Sequence, residues 1–148
     1  MLLLVLAACT AKDAPVDSGG APWIELGAGQ SGFVPLADGD AVPLVHGLQG
    51  GWHVDLALRF GGMGPNGVHL RYEAFDAADD TLLSFATETV LSPSRVLEEG
   101  EGWLRLGDRV VFDIEEAAEV LGREVRFEVA ATWNPIQVSD ARVAVPVE

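Results

Sequence analysis

The chain has 148 residues, 49% of them hydrophobic, which is enough for one domain with a real core and excludes a wholly disordered protein. Nine basic against twenty-three acidic residues leave a net charge of -14, a sign that repels nucleic-acid phosphates and anionic lipid headgroups. Beyond Lys12 every basic residue is an arginine, spread singly from Arg59 to Arg142. No basic patch forms, so no nucleic-acid partner is expected.

In chain order, Met1–Ala8 (MLLLVLAA) is an uncharged apolar run far shorter than the roughly 20 residues a membrane-spanning helix needs. Cys9, the single cysteine of the chain, follows directly and leaves no intramolecular disulfide. Leu6-Ala7-Ala8-Cys9 resembles the lipobox of bacterial lipoproteins: a branched apolar residue, two small ones, then the thiol that takes a thioether-linked lipid. The resemblance implies an export signal over residues 1–8, lipidation of Cys9, and a lipid anchor in the bacterial cell envelope. Thr10 stands where an Asp would favour inner-membrane retention, which leans the expectation toward the outer membrane. The signal carries no Lys or Arg and is short, as it would be if its true start lay upstream. Residues 9–22, rich in Asp, Pro, Ser and Gly, read as a flexible tether, and residues 23–148 as the folded domain.

The domain reads as strand-like runs cut by glycine-rich or acidic turns. Trp23–Leu26, Phe33–Leu36 and Val42–Val45 are short, with Pro43 arguing for an edge. Trp52–Phe60 alternates cleanly, with Trp52, Val54, Leu56, Leu58 and Phe60 on one face and His53, Asp55, Ala57 and Arg59 on the other. Val68, Leu70, Tyr72 and Ala74 resume the pattern after a glycine-rich turn, which predicts a hairpin between the two runs. Leu82–Leu91, Trp103–Leu106 and Val110–Ile114 follow as further strands. Asp113-Ile114-Glu115-Glu116 has the form of a capping box opening a short helix over 114–121 that ends at Gly122. Val125–Trp133 alternates again, and Val138–Val147 closes the domain with Val143, Val145 and Val147 expected inward.

Seven to nine strands with one small helix, and no helical run long enough for a βαβ unit, predict an all-β, antiparallel sandwich. The pattern resembles the Ig-like and fibronectin-like sandwiches of exported bacterial proteins, without the Cys-Trp-Cys arrangement of true immunoglobulin domains. The segment from His46 to His53 (HGLQGGWH) also resembles a stretch in bacterial lipoproteins of no assigned activity, which brings no catalytic residues with it.

Three kinds of site were weighed. His46, His53 and His69, with Met63, suggest an envelope copper site, since imidazole and thioether suit copper; if the predicted hairpin forms, His69 and His53 lie too far apart on it to share an ion. The aspartates at 38 and 40 and at 76, 79 and 80 suggest calcium, but lack the alternating EF-hand pattern and read as solvated turns. Ser84, Ser92, Ser94 and Ser139 have no nucleophile-elbow context, and no phosphate-binding loop or dinucleotide fingerprint occurs. The expectation is therefore no enzyme, no cofactor and no metal, but a binding or structural module with a protein or polysaccharide partner. Trp103, beside an acidic glycine-rich loop, and His46, Gln49 and His53, around the glycines of 47–51, are its candidate partner-binding residues.

Overall fold

The computed structural model describes residues 20–148; the expected export signal, Cys9 and the expected tether up to residue 19 lie outside the described residues. Two sheets pack face to face. The first orders β2 (Val34–Pro35), β1 (Trp23–Ala28), β5 (Trp52–Gly61), β9 (Gly102–Val111) and β8 (Leu97–Glu99), with β4 (Val45–His46) pairing the start of β5. The second orders β3 (Asp40–Pro43), β11 (Ile136–Val147), β10 (Val125–Trp133), β6 (His69–Asp76) and β7 (Thr87–Val90). The protein is an all-β, Ig-like sandwich. Its eleven strands exceed the predicted seven to nine because two-residue ladders such as β2 and β4 carry no alternation to read. One pair, β3 with β11, is parallel.

Alternation placed the core correctly in β5, β6 and β10. Val54, Leu56, Leu58 and Phe60 of β5 face Leu70, Tyr72 and Ala74 of β6 and Val125, Phe127, Val129 and Ala131 of β10, all buried in one cluster. The predicted hairpin between β5 and β6 does not form. β5 pairs with β1 and β9, and β6 pairs with β10 and β7, so residues 61–68 cross from one sheet to the other. Both strands carry one apolar face, and packing those faces against each other across the sandwich satisfies the same pattern as pairing them edge to edge. Met63 and Val68, in that crossing, are buried core residues.

Other boundaries moved for local reasons. Trp103–Leu106 and Val110–Val111 belong to one strand, β9, which ends before Phe112 and carries a bulge where Leu56 pairs Asp108 but Leu58 pairs Arg105. Gly107 supplies the positive φ of +70° that this extra residue needs. The run from Leu82 pairs only at isolated bridges, Leu82 with Phe75 and Ser84 with Phe112, before β7 begins at Thr87. The helix over 114–121 is a single 3-10 turn, Ala117–Glu119. Its capping box uses Glu116 and Glu119 instead of Asp113 and Glu116, and Gly122 follows with φ +72°.

The last strand is also in the opposite register from the one expected. Ala144 and Pro146 are buried while Val147 is exposed, so the even-numbered residues point inward. Asp140 and Arg142 therefore lie on the inner side, at the margin where β11 has β10 on one side and, until Ala144 meets β3, no strand on the other. There the Asp140 Oδ2 accepts the Leu26 amide of β1 at 2.8 Å, joining the two sheets through a side chain. Inward charge at a sheet edge also opposes pairing with another chain.

Candidate functional site

The candidate residues divide between two ends of the first sheet. Trp23 pairs Gly61 at one end of β5, next to where the chain enters the domain at Gly20; His46 pairs Trp52 at the other. Ten residues of β5 separate these ends, roughly 30 Å at about 3.3 Å per residue.

Trp103 lies at the Trp23 end. It pairs Phe60 on the inner face of the sheet, and its half-buried indole packs on the core. The more exposed indole belongs to Trp23, 44% exposed, which lies over Gly61 and Gly102 on the outer face. At the far end the segment Gly47–Gly51 forms a tight turn, closed by Gly47 donating to the Gly51 carbonyl and Gly50 to that of Gly47. Gly50 and Gly51 both have positive φ, which explains the glycines there. Gln49 is exposed on this turn, and the Leu48 side chain stands free in solvent.

His46 and His53 do not converge. His46 pairs Trp52 and stacks on its ring at 4.7 Å between centroids, on the inner face. His53 pairs Val45 on the outer face, and His69 lies on the outer face of the second sheet beside Glu88. With Met63 in the core, the four residues weighed for copper occupy four separate places. Among the described residues no three His, Cys, Asp or Glu side chains gather to hold a metal ion. Four of the five aspartates weighed for calcium bind backbone instead, and the fifth, Asp80, pairs with Arg126. Asp38 accepts from Val143, Asp40 from Ala37, Asp76 from Ala78 and Asp79 from Thr81, which ties down the turns. Ser84, the buried serine, accepts the Ala74 amide as part of the same framework.

The outer face around His53 was expected to be wet, and it is covered. Phe33 folds back over Gly27, where a Cβ would come within 2.5 Å of its ring, and the Arg59 guanidinium stacks on Phe33 at 4.1 Å. That brings Gln30 over Asp55, to whose Oδ2 it donates at 2.9 Å. His53 and Asp55 keep only 7% and 13% of their side-chain surface exposed. His53 Nε2 and Asp55 Oδ1, 3.8 Å apart, are buried with no hydrogen-bond partner. Arg109, paired with Asp55 across the strands and 60% exposed, holds its Nε 3.5 Å from that same Oδ1. Gln30, His53 and Arg109 line a recess of about 450 Å3 that also takes in Val45, Val111 and the Gly47–Gly51 turn, while Asp55 lines the recess beside it. A second, mostly apolar recess of about 480 Å3 adjoins it past Gln30 and Val45, walled by Val34, Pro35 and Pro43.

Gln30, Asp55 and Arg109 were not among the sequence candidates. The one signal near them is Gly27, not read as such from the sequence: a glycine inside a strand marks a close approach, here that of the Phe33 ring.

No protein-family model matches the chain, and no curated protein does. Among solved structures, Dpr1 IG1, determined bound to DIP-eta IG1, is 14% identical, with 86% of this chain and 97% of that one covered and a TM-score of 0.34. The CooA pilin subunit from enterotoxigenic Escherichia coli is 11% identical, over 83% of this chain and 96% of its own, with a TM-score of 0.35. At that level of likeness, the site rests on this chain's own geometry.

Proposed function

We propose that the chain is a lipid-anchored protein of the bacterial cell envelope, held by Cys9, whose sandwich serves as a non-catalytic binding or structural module. Residues 1–8 are the export signal and 9–22 the tether. No helix among the described residues is long and apolar enough to cross a membrane. The observation that carries the reading is the polarity of the domain. The chain enters beside Trp23 and Gly61, while His46, Gln49 and His53 sit at the other end of β5. A lipid on Cys9 therefore leaves the end with the recess free to meet a protein or polysaccharide, and Trp103 near the tether. Thr10 favours the outer membrane.

Replacing Cys9 with Ser tests the anchor. The variant should leave the membrane fraction and lose labelling by a fatty-acid analogue. Unchanged membrane association together with an unchanged mass would overturn the reading.

A further inference from the structure

Where the two recesses at the far end of β5 meet, beside Arg109, the fold leaves two buried polar atoms unsatisfied. Buried polar groups are nearly always paired, because an unpaired one loses its hydration without replacement. Elsewhere in the domain that rule is kept closely. Asp108, on the same sheet, has one carboxylate oxygen served by Tyr72 and the other by Arg105. Asp55 has Oδ2 served by Gln30, while Oδ1 and the neighbouring His53 Nε2 face each other at 3.8 Å, too far apart to bond.

The chemistry of the missing partner follows from these two atoms. A carboxylate oxygen only accepts, while an imidazole nitrogen donates or accepts according to its tautomer. A single oxygen atom about 2.8 Å from each spans a 3.8 Å gap, provided that it carries a proton to give and a lone pair to receive. A hydroxyl does this. A bare cation meets the Arg109 guanidinium at 3.5 Å from the same oxygen and finds no third ligand. An anion meets the Asp55 carboxylate and a chain of net charge -14. An apolar group leaves both atoms unpaired.

Accepting the binding-module reading above, we propose that the junction of these two recesses is a carbohydrate subsite, seating one sugar hydroxyl between Asp55 Oδ1 and His53 Nε2. Val45, Leu48 and Val111 offer apolar walls to the C–H faces of the ring. Arg109 is the displaceable cover. Its side chain is 60% exposed, and its one ion pair among the described residues is the loose contact to Asp55. Turning outward, it opens the two atoms and presents its donors to a neighbouring hydroxyl.

The test uses the full chain in detergent micelles, titrated calorimetrically with maltohexaose, cellohexaose and chitohexaose. At least one should bind, and Asp55→Asn and His53→Ala should each weaken that binding by about tenfold or more. Glu99→Gln, at the tether end, should leave it unchanged. Far-ultraviolet circular dichroism and melting of each variant show whether it is folded, and Asp55→Asn, close to isosteric, keeps the test valid if His53→Ala is not. No binding up to about 10 mM, binding that survives both substitutions, Zn(II) binding that needs His53 and Asp55, or a crystal soaked in the sugars that shows only water between the two atoms would each overturn the proposal. Its failure is separable from that of the envelope reading. Loss of fatty-acid labelling in Cys9→Ser with no sugar bound by the parent removes the subsite and keeps the anchor; sugar binding that depends on Asp55, with no lipid on Cys9, does the reverse.

Discussion

Tyr72 is the single tyrosine of the chain, which makes its ionisation a direct probe of the core. It is fully buried, and its hydroxyl donates to Asp108 Oδ2 at 2.9 Å. Burial pushes the phenol well above its ordinary 10.0, the Asp108 charge and hydrogen bond push further in the same direction, and Arg105 opposes them. The unfolded chain releases this proton near the ordinary value while the folded chain keeps it. The contribution to stability is therefore intact below about pH 10 and is lost as pH rises toward the raised folded value, at about 1.4 kcal/mol per pH unit and about 2 kcal/mol by about pH 11.5. Tyrosinate absorbance should stay absent through about pH 10 and appear together with loss of the far-ultraviolet sheet spectrum. Tyr72→Phe should abolish the alkaline slope and cost about 1.5–3 kcal/mol at neutral pH, the range for a hydrogen bond to a charged acceptor, read as a shift of the urea midpoint. Asp108→Ala should cost about 3 kcal/mol or more, because it strands both the Tyr72 hydroxyl and Arg105, whose side chain is only 22% exposed. A phenol that titrates at its ordinary value while the sheet spectrum stays native would refute the argument.

At the free margin between β1 and β11, Asp140→Ala removes the acceptor of the Leu26 amide and should lower stability by about 1–3 kcal/mol, with Asp140→Asn milder because it keeps an acceptor, both by urea denaturation. Gly102→Ala would place a Cβ 2.4 Å from the Phe60 carbonyl oxygen, and should cost about 1–3 kcal/mol. Gly67→Ala, with open space around it but a φ of +79°, should cost about 1 kcal/mol in the same assay. The Glu119 carboxyl accepts the amides of Glu115 and Glu116 and is held below the ordinary carboxylate value by them. Its support of the 3-10 turn is present above the ordinary value and is lost as pH falls through the lowered one, so carbon-detected titration should give a midpoint below 4.5.

β5 and β10 were legible because a period of two survives any topology. Trp52–Phe60 and Val125–Trp133 announce which side chains are buried, whatever strand lies beside them. Neighbours were not legible. Two apolar faces close in sequence suit a hairpin and a sandwich crossing equally, and residues 61–68 differ between these only in whether the strands meet by hydrogen bonds or by side chains. Val143, Val145 and Val147 misled because β-branched residues suit a strand on either face, and the inward charges of Asp140 and Arg142 serve an edge that becomes visible only once the sheet order is known.

Of the site, alternation put His53 on a wet face, and it could not show the segment around Gln30 and Phe33 lying over it. That cover creates a contrast between two carboxylates on one sheet, and the contrast separates framework from site. Asp108 is satisfied at both oxygens, so Asp108→Asn should cost about 1.5–3 kcal/mol by weakening charged hydrogen bonds. Asp55 is satisfied at one oxygen only. Asp55→Asn keeps an acceptor for Gln30 and loses little else than an ion pair to an exposed arginine, so it should change stability by less than about 1 kcal/mol. Urea midpoints of the two variants decide the matter. If Asp55→Asn destabilises as much as Asp108→Asn, the Asp55 carboxylate is framework, and the unpaired oxygen no longer speaks for a ligand.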